Sequence, residues 1–519
     1  MPGKRQGKKR YLFLIGIGSF ILAVLLSVMT PIRKLELDSL DLRFKMRGPL
    51  EVCESDIIVV GIDDQTYAEL PARYPFPREY YARLIRNLSE AGARLIIFDI
   101  QFTEPDRKSP EGDSTFAAAV QEFGNVVLAG KLLEERNPHI KETIRKVCPP
   151  IPVLLETEAK WGIVNEPNDM DGFTRRYLLY QTAKDQLYLP IGLKALEILR
   201  NIPDGARATH QGKNFRYHNI DIPLYDRNTM LVNFCGPAGT FPTFSFSDVM
   251  DDSEFELNQG DTDYMDSFTS ASDLPPEFAA LLTNPFKDKI VFIGATIEEQ
   301  KDTFYSPFYD YRGRKLKTPG VEYHANALWT ILNERYIRAL DFYLVWAIML
   351  GLAITIAFLV HYYKIWGGLV ALVEELALFS AAAVLLFNYF GLWVEVTGPA
   401  LAGIFSFVGA GGYQFVAEQK EKRAIRGMFQ HYLAKPLVDE LIANPDKLKL
   451  GGVKQNLTVF FSDIESFTSI SEKLPPEELL EHLNEYLSAM TDIILENDGM
   501  LDRSEERRVG KECATGRRS

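Results

Sequence analysis

Ile57-Ile58-Val59-Val60-Gly61-Ile62-Asp63-Asp64 is the stretch that decides the fold. Six apolar positions without alternation fit a strand covered on both faces, as in parallel sheets flanked by helices. Downstream, Pro77-Arg78 starts a helix whose Tyr81, Leu84, Ile85 and Leu88 recur at i, i+3, i+4 and i+7. Gly92 closes it, and Leu95-Ile96-Ile97-Phe98 makes the next buried strand. Strand, helix and strand form a βαβ unit, whose crossover is right-handed in nearly all proteins. Val126-Val127-Leu128 and Ile290-Val291-Phe292-Ile293 add strands of the same kind. The expected fold class of residues 31–341 is α/β.

Acids end both early strands, Asp63 and Asp64 after the first and Asp99 after the second. In open parallel sheets, ligands bind in the crevice beyond the carboxyl ends of the strands. Asp63, Arg78 and Asp99, with Asp302, Glu322 and His324 from the far end, are therefore candidates to line a pocket. The same groups also fit mutual pairing or the capping of helices and turns, and both readings stay open. No His/Cys cluster has the spacing of metal ligands.

Around this region the 519-residue chain distributes its 46% hydrophobic residues unevenly. Four apolar blocks occupy residues 11–30, 342–362, 365–387 and 392–416. Each is near the ~20 residues that cross ~30 Å of hydrocarbon. Lys4, Arg5, Lys8, Lys9 and Arg10 precede the first block, and Lys420, Lys422, Arg423 and Arg426 follow the last. Basic flanks mark the cytoplasmic side. Residues 1–10 and the helical linker 417–455 are thus expected in the cytoplasm, and residues 31–341 outside it. A cleaved signal peptide is the alternative for the first block. Its apolar core would be about 7–15 residues and end in small residues, whereas Met29-Thr30-Pro31-Ile32-Arg33-Lys34 follows here.

A formal net charge of −13 offers no electrostatic footprint for nucleic acid. Four cysteines are too few for a disulfide framework. One bridge among Cys53, Cys148 and Cys235 and buried free thiols both fit.

Near the end, Leu457-Thr458-Val459-Phe460-Phe461 reads as a strand leading into Ser462-Asp463-Ile464. Pro475-Pro476-Glu477-Glu478 opens a helix, with proline in the first turn and acids where the dipole favours them. Leu479, Leu483, Tyr486, Leu487, Met490 and Ile494 form its apolar stripe, Asp498-Gly499 stops it, and Met500-Leu501 starts another strand. A carboxylate at a strand end beside a backbone carbonyl suits Mg²⁺ with phosphate, and more often such an aspartate caps a turn or helix.

Residues 31–341 resemble the CHASE2 family of extracytoplasmic sensor domains. The resemblance rests on Val60-Gly61-Ile62-Asp63, Pro75-Phe76-Pro77-Arg78, Ala91-Gly92-Ala93, Phe98-Asp99-Ile100-Gln101-Phe102 and residues 233–241. Lys289-Ile290-Val291-Phe292-Ile293-Gly294-Ala295 and Pro319-Gly320-Val321-Glu322-Tyr323-His324-Ala325-Asn326 complete it. It implies one helix before the sensor, three after it, an unnamed extracytoplasmic ligand, and a signalling output inside the cell.

Residues 456–502 are similar to the start of class III nucleotide cyclases, α+β domains of ferredoxin-like fold. Phe460-Phe461-Ser462-Asp463-Ile464-Glu465-Ser466-Phe467-Thr468 carries the likeness, with Ser471-Glu472 and Leu483-Asn484-Glu485-Tyr486. Ser466 departs from the family's usual glycine. The resemblance implies a homodimer at the inner membrane of a bacterium, converting ATP to cyclic AMP and diphosphate with two Mg²⁺ or Mn²⁺ ions. Asp463 would be the first metal ligand, beside the backbone carbonyl of Ile464. The alternative is a receptor without catalysis that signals by dimerisation.

After Asp502 the family pattern Lys-Phe-x-Gly-Asp, with the second metal ligand, does not follow. Residues 503–519 are expected to be non-native, because Arg503 to Cys513 back-translates with permitted codons into a common sequencing-library adapter. This copy is accordingly expected to be truncated within the cyclase domain, and inactive as written.

Overall fold

The computed structural model describes residues 2–51, 56–109, 111–136, 143–203, 205–255, 257, 263–269, 284–429 and 458–497. The chain divides into two compact units, Met1–Leu359 with Gly367–Phe407, and Val360–Trp366 with Val408–Ser519.

In the first unit the expected βαβ start is present. Strand β1 (Ile57–Ile62), helices α3 (Asp64–Glu69) and α4 (Arg78–Glu90), and strand β2 (Leu95–Gln101) follow in order. They come after helices α1 (Pro2–Ser27) and α2 (Thr30–Arg47). Helix α5 (Gly112–Phe123) leads to β3 (Val126–Arg136), β4 (Thr143–Cys148) and β5 (Lys160–Ile163). Helix α6 (Ile191–Leu199), β6 (Thr243–Ser245), β7 (Ile290–Ala295) and α7 (Gly320–Leu332) complete the framework. The sheet order is β6-β1-β7-β2-β3-β4, with β5 also on β3. All its pairings are parallel except β3 with β4.

The apolar runs are continuous because both faces of this sheet are covered. Ile58, Val60, Ile96 and Phe98 pack with Leu84 and Leu88 of α4 and Phe116 and Val120 of α5. Ile57, Val59, Ile97 and Phe292 pack with Ala195 of α6 and Val321, Ala325 and Leu328 of α7. Neighbouring strand positions thus serve opposite layers, the period-two rule applied to two cores at once.

Helix α2 was not foreseen. Pro31 sits in its first turn, where a missing N–H costs nothing, and its buried face carries Glu36, Leu40, Asp41, Arg43 and Phe44. Leu40 and Phe44 join a further core with Tyr177, Phe234, Phe308, Phe387 and Trp393.

Among the described residues, three helices are long and apolar enough to cross a membrane, with qualifying stretches Lys9–Ser27, Phe342–Phe390 and Thr397–Ala424. They belong to α1, α8 (Phe342–Phe390) and α9 (Thr397–Phe429). The helical run of α8 is broken at Lys364, where φ is 60° and ψ is −173°. The connection expected between the blocks at 342–362 and 365–387 is therefore this single irregular residue. The block at 392–416 also needs correction. Leu392–Trp393 pairs as a short strand with Arg338–Ala339, so the last apolar helix starts at Thr397. Glu36 of α2 accepts hydrogen bonds from Val396 N, Thr397 N and Thr397 Oγ1, each at 2.9 Å, and from Trp393 Nε1 at 3.1 Å. It caps the start of α9.

In the second unit the amphipathic helix forms as expected, as α10 (Pro476–Glu496). Leu479, Leu483, Leu487, Met490 and Ile494 are its half-buried stripe, while Tyr486 is exposed. The strand expected at 457–461 is not found: residues 458–464 have no regular structure, and Val459, Phe460 and Phe461 are exposed. A strand needs a ladder partner, and none pairs with this segment among the described residues. Residues 430–457 and 498–519 lie outside the described residues, with most of the helical linker expected at 417–455, the strand expected at Met500 and the tail expected to be non-native.

Candidate functional site

A cavity of about 330 Å³ opens at the carboxyl ends of the parallel strands. Ile62 and Ala295 come from the ends of β1 and β7, and Asp99, Ile100 and Gln101 from β2. Lys131 projects from β3, Val164 and Glu166 follow β5, and Asp302 and His324 close the far wall.

Local structure sets Asp99 apart. Ile97 pairs with Val127 but Gln101 pairs with Ala129, so β2 carries extra residues around Asp99. Such a bulge kinks a strand and re-aims a side chain. Across from it, a Cβ on Gly294 would lie 2.9 Å from Val321 Cβ and 3.3 Å from Asp99 Cβ. Only glycine lets β7, Asp99 and α7 approach this closely. Gly320, the first residue of α7, does the same for Asp302, whose Oδ2 lies 2.5 Å from where a Cβ would stand.

The Asp99 side chain is 5% exposed, yet its Oδ2 has no hydrogen-bond partner. His324 Nε2 is 3.8 Å from Asp99 Oδ1, too long for a hydrogen bond. On its other side, His324 Nδ1 is 3.4 Å from the Tyr177 hydroxyl, which accepts the Gly192 N–H at 3.0 Å. The Tyr177 hydroxyl can donate to Nδ1 or accept from it, so this contact is tied to the tautomer of the imidazole.

Burial dominates the electrostatics. It pushes Asp99 well above the usual carboxylate range, with help from the charges of Asp302 and Glu166 and against Lys131. Glu166 and Asp302 are also raised by burial, each opposed by Lys131. His324 is pushed down to about 3 by burial and then by Lys131, so it is neutral at pH 7.

Of the six sensor residues expected from sequence, Asp99, Asp302 and His324 line this cavity and the other three do not. Asp63 caps α3, its Oδ1 accepting from Thr66 N at 2.8 Å and from Thr66 Oγ1 and Ser245 Oγ at 2.7 Å. Arg78 pairs with Asp113 at 3.2 Å, donates to the Glu104 carbonyl at 3.0 Å and lies over the Phe102 ring. Buried Glu322 accepts the Gly239 N–H at 2.9 and 3.0 Å, and burial lifts its carboxyl to about 7. The sequence reading missed Lys131 and Glu166. Glu166 shows the same signal as Asp99, an acid just past a strand, but β5 is too short to stand out. Lys131 breaks the apolar run of β3 and reads from sequence as a solvated strand end.

No group of three or more His, Cys, Asp or Glu able to hold a metal is found among the described residues. Cys148 and Cys235 are both free thiols, and burial pushes Cys235 up to about 12. Cys53 lies outside the described residues. In the second unit Asp463 is exposed and its Oδ1 accepts the Ile464 N–H at 2.9 Å.

An α/β domain with a charged cavity beyond its strand ends, in a chain with membrane-length apolar helices, has the makings of a membrane-anchored sensor. The chain belongs to the CHASE2 domain family, which it matches over residues 19–361. CHASE2 is an extracellular sensor domain found in signalling proteins. No curated protein and no solved structure matches the chain.

Proposed function

We propose that the chain is the sensing and membrane portion of a receptor adenylate cyclase. Its cavity at Asp99, Asp302, Glu166, Lys131 and His324 takes a small extracytoplasmic ligand, and its output converts ATP to cyclic AMP and diphosphate as a homodimer. The break at Lys364 supports two crossings within α8, which with α1 and α9 makes four and returns both ends to the cytoplasm of a bacterial inner membrane. The output reading is carried by one observation, the Phe460–Thr468 motif in the chain that follows α9.

Asp463 and the Ile464 carbonyl supply two hard oxygen ligands, whereas Mg²⁺ wants near-octahedral coordination. The described residues thus fit part of a metal site and no more. Bound metal in this family would activate the ribose hydroxyl and hold the triphosphate; Asp463, exposed at its loop, would receive it.

Membranes carrying the gene's full product are expected to make cyclic AMP from ATP with Mg²⁺ or Mn²⁺. Asp463→Asn should lower that rate roughly 100-fold or more. A full product inactive on ATP and GTP would remove the enzymatic half of the proposal. Reporter fusions after Lys364 and after Gly391 test the crossings: cytoplasmic at the first, extracytoplasmic at the second.

A further inference from the structure

We propose that the cavity beyond β1, β7 and β2 binds a small organic cation bearing N–H donors, an alkylammonium or guanidinium, seated on Asp99 and Asp302. This rests on the reading of that cavity as the sensing site and names its ligand class.

Three carboxylates line the cavity: Asp99, Glu166 and Asp302. The cations are Lys131, which makes no ion pair within 4 Å among the described residues, and Lys301, which is exposed. Each ionised carboxylate can accept about four hydrogen bonds, but Asp99 accepts none from the described residues, and its Oδ2 is left buried and orphaned. Buried polar groups are normally satisfied, so an orphan of this kind calls for an absent partner. With its three carboxylates ionised against two lysines, the cavity has a surplus of acceptors and negative charge. A neutral polyol would leave that charge uncompensated, and an anion would add to it. A divalent metal would need a converging donor set that the described residues do not offer.

The remaining surfaces fit the same ligand. Ile62, Ile100, Val164 and Phe304 give a carbon stem an apolar wall, and Tyr74 offers an aromatic face. The volume, about 330 Å³, is at the small end for such sites, so the ligand has few heavy atoms. The β2 bulge and the side-chain-free Gly294 and Gly320 hold Asp99 and Asp302 in place before anything binds.

The test uses the intact chain in nanodiscs, titrated calorimetrically and by thermal shift. The probes are propylammonium and ethylguanidinium, with tetramethylammonium (a cation without N–H) and 1-propanol (neutral) as comparators. Saturable binding and a raised unfolding midpoint are expected for the first two alone. Binding should release protons, because a bound cation favours the ionised carboxylates, and the measured heat should therefore change with the ionisation enthalpy of the buffer. Asp99→Asn should weaken binding at least tenfold while unfolding no earlier than the parent. Asp302→Asn should weaken it too, and Glu322→Gln, away from the cavity, should not.

Absence of binding by either N–H cation up to roughly 10 mM, equal binding by 1-propanol, or unchanged affinity in Asp99→Asn would each overturn the ligand class. The receptor reading is separated by output in cells carrying the gene's full product. If Asp99→Asn alters cyclic nucleotide levels while the purified chain binds no ammonium, the ligand class falls and the sensing cavity stands. If ammonium binds but output never responds, the ligand class stands and the sensing role falls.

Discussion

Two acidic clusters in the sensor are built from the same residue types and solve opposite problems. In one, Asp41, Asp169 and Asp171 surround Arg175, whose side chain is 1% exposed. Its guanidinium donates to Asp41 twice at 2.7 Å, to Asp169 at 2.9 Å and to Asp171 at 3.0 and 2.7 Å. Arg176 takes the second oxygen of Asp169, along with Asp226 at 2.8 Å. Burial still lifts Asp41, whereas at Asp171 the hydrogen bond and charge of Arg175 outweigh burial and pull the carboxyl below its usual value. In the cavity, among the described residues, Lys131 makes no ion pair within 4 Å, and no group donates to Asp99 Oδ2. Every carboxylate there is raised, and Asp99 keeps an orphaned oxygen. Acidic residues alone therefore do not mark a binding site; unsatisfied ones beside open volume do.

The contrast breaks hardest at Arg175. Arg175→Ala would strand Asp41 and Asp171 and leave Asp169 to Arg176, and should cost about 3–5 kcal/mol in denaturant unfolding of the intact chain. A cost under about 1 kcal/mol would mean that the cluster is not the structural clasp described above.

Asp99→Asn should act in the opposite direction, stabilising the ligand-free sensor by about 1–2 kcal/mol at pH 8. Asp99 is raised in the folded state, so the folded chain holds a proton that the unfolded chain gives up. Its contribution is full below the ordinary carboxylate range and is lost as pH rises through the raised value. The gap between variant and parent should therefore close near pH 4 and widen towards pH 8. His324 runs the other way: depressed to about 3, it costs stability as pH falls below its ordinary 6.5. Both chains share that loss, so the difference between them isolates Asp99.

A smaller effect sharpens the same comparison. Gly320→Ala would set a Cβ against the Asp302 carboxylate, which can swing aside. Stability should change by less than about 1 kcal/mol, whereas propylammonium affinity should fall measurably. Smallest of all, Arg145→Ala removes the exposed pair with Glu134 and should shift unfolding by no more than about 0.5 kcal/mol.

Much of the framework was legible because burial on both faces writes a continuous apolar run. Residues 57–62, 95–98 and 290–293 announced the sheet, and the stripe Tyr81 to Leu88 announced α4, with all four positions now in its core. Asp99 was legible by rule, as an acid at a strand end. Asp63 obeyed the same rule and turned out to be a helix cap, because position along a strand does not say where the hydrogen bonds go. Lys131 and Glu166 depend on β3 and β5 lying side by side, a pairing between segments far apart in sequence. Helix α2 hid for another reason: its inward face mixes Glu36, Asp41 and Arg43 with Leu40 and Phe44, which blurs the apolar period.

Glu36 has a mechanical consequence. A single carboxylate near the start of α2 holds the first turn of α9, so the stalk entering the sensor and the rod leaving it share one pin. A twist of α2 would reach the start of α9 through that shared contact. The sensor's entrance and exit are joined there directly, by a route that bypasses the long apolar helix α8.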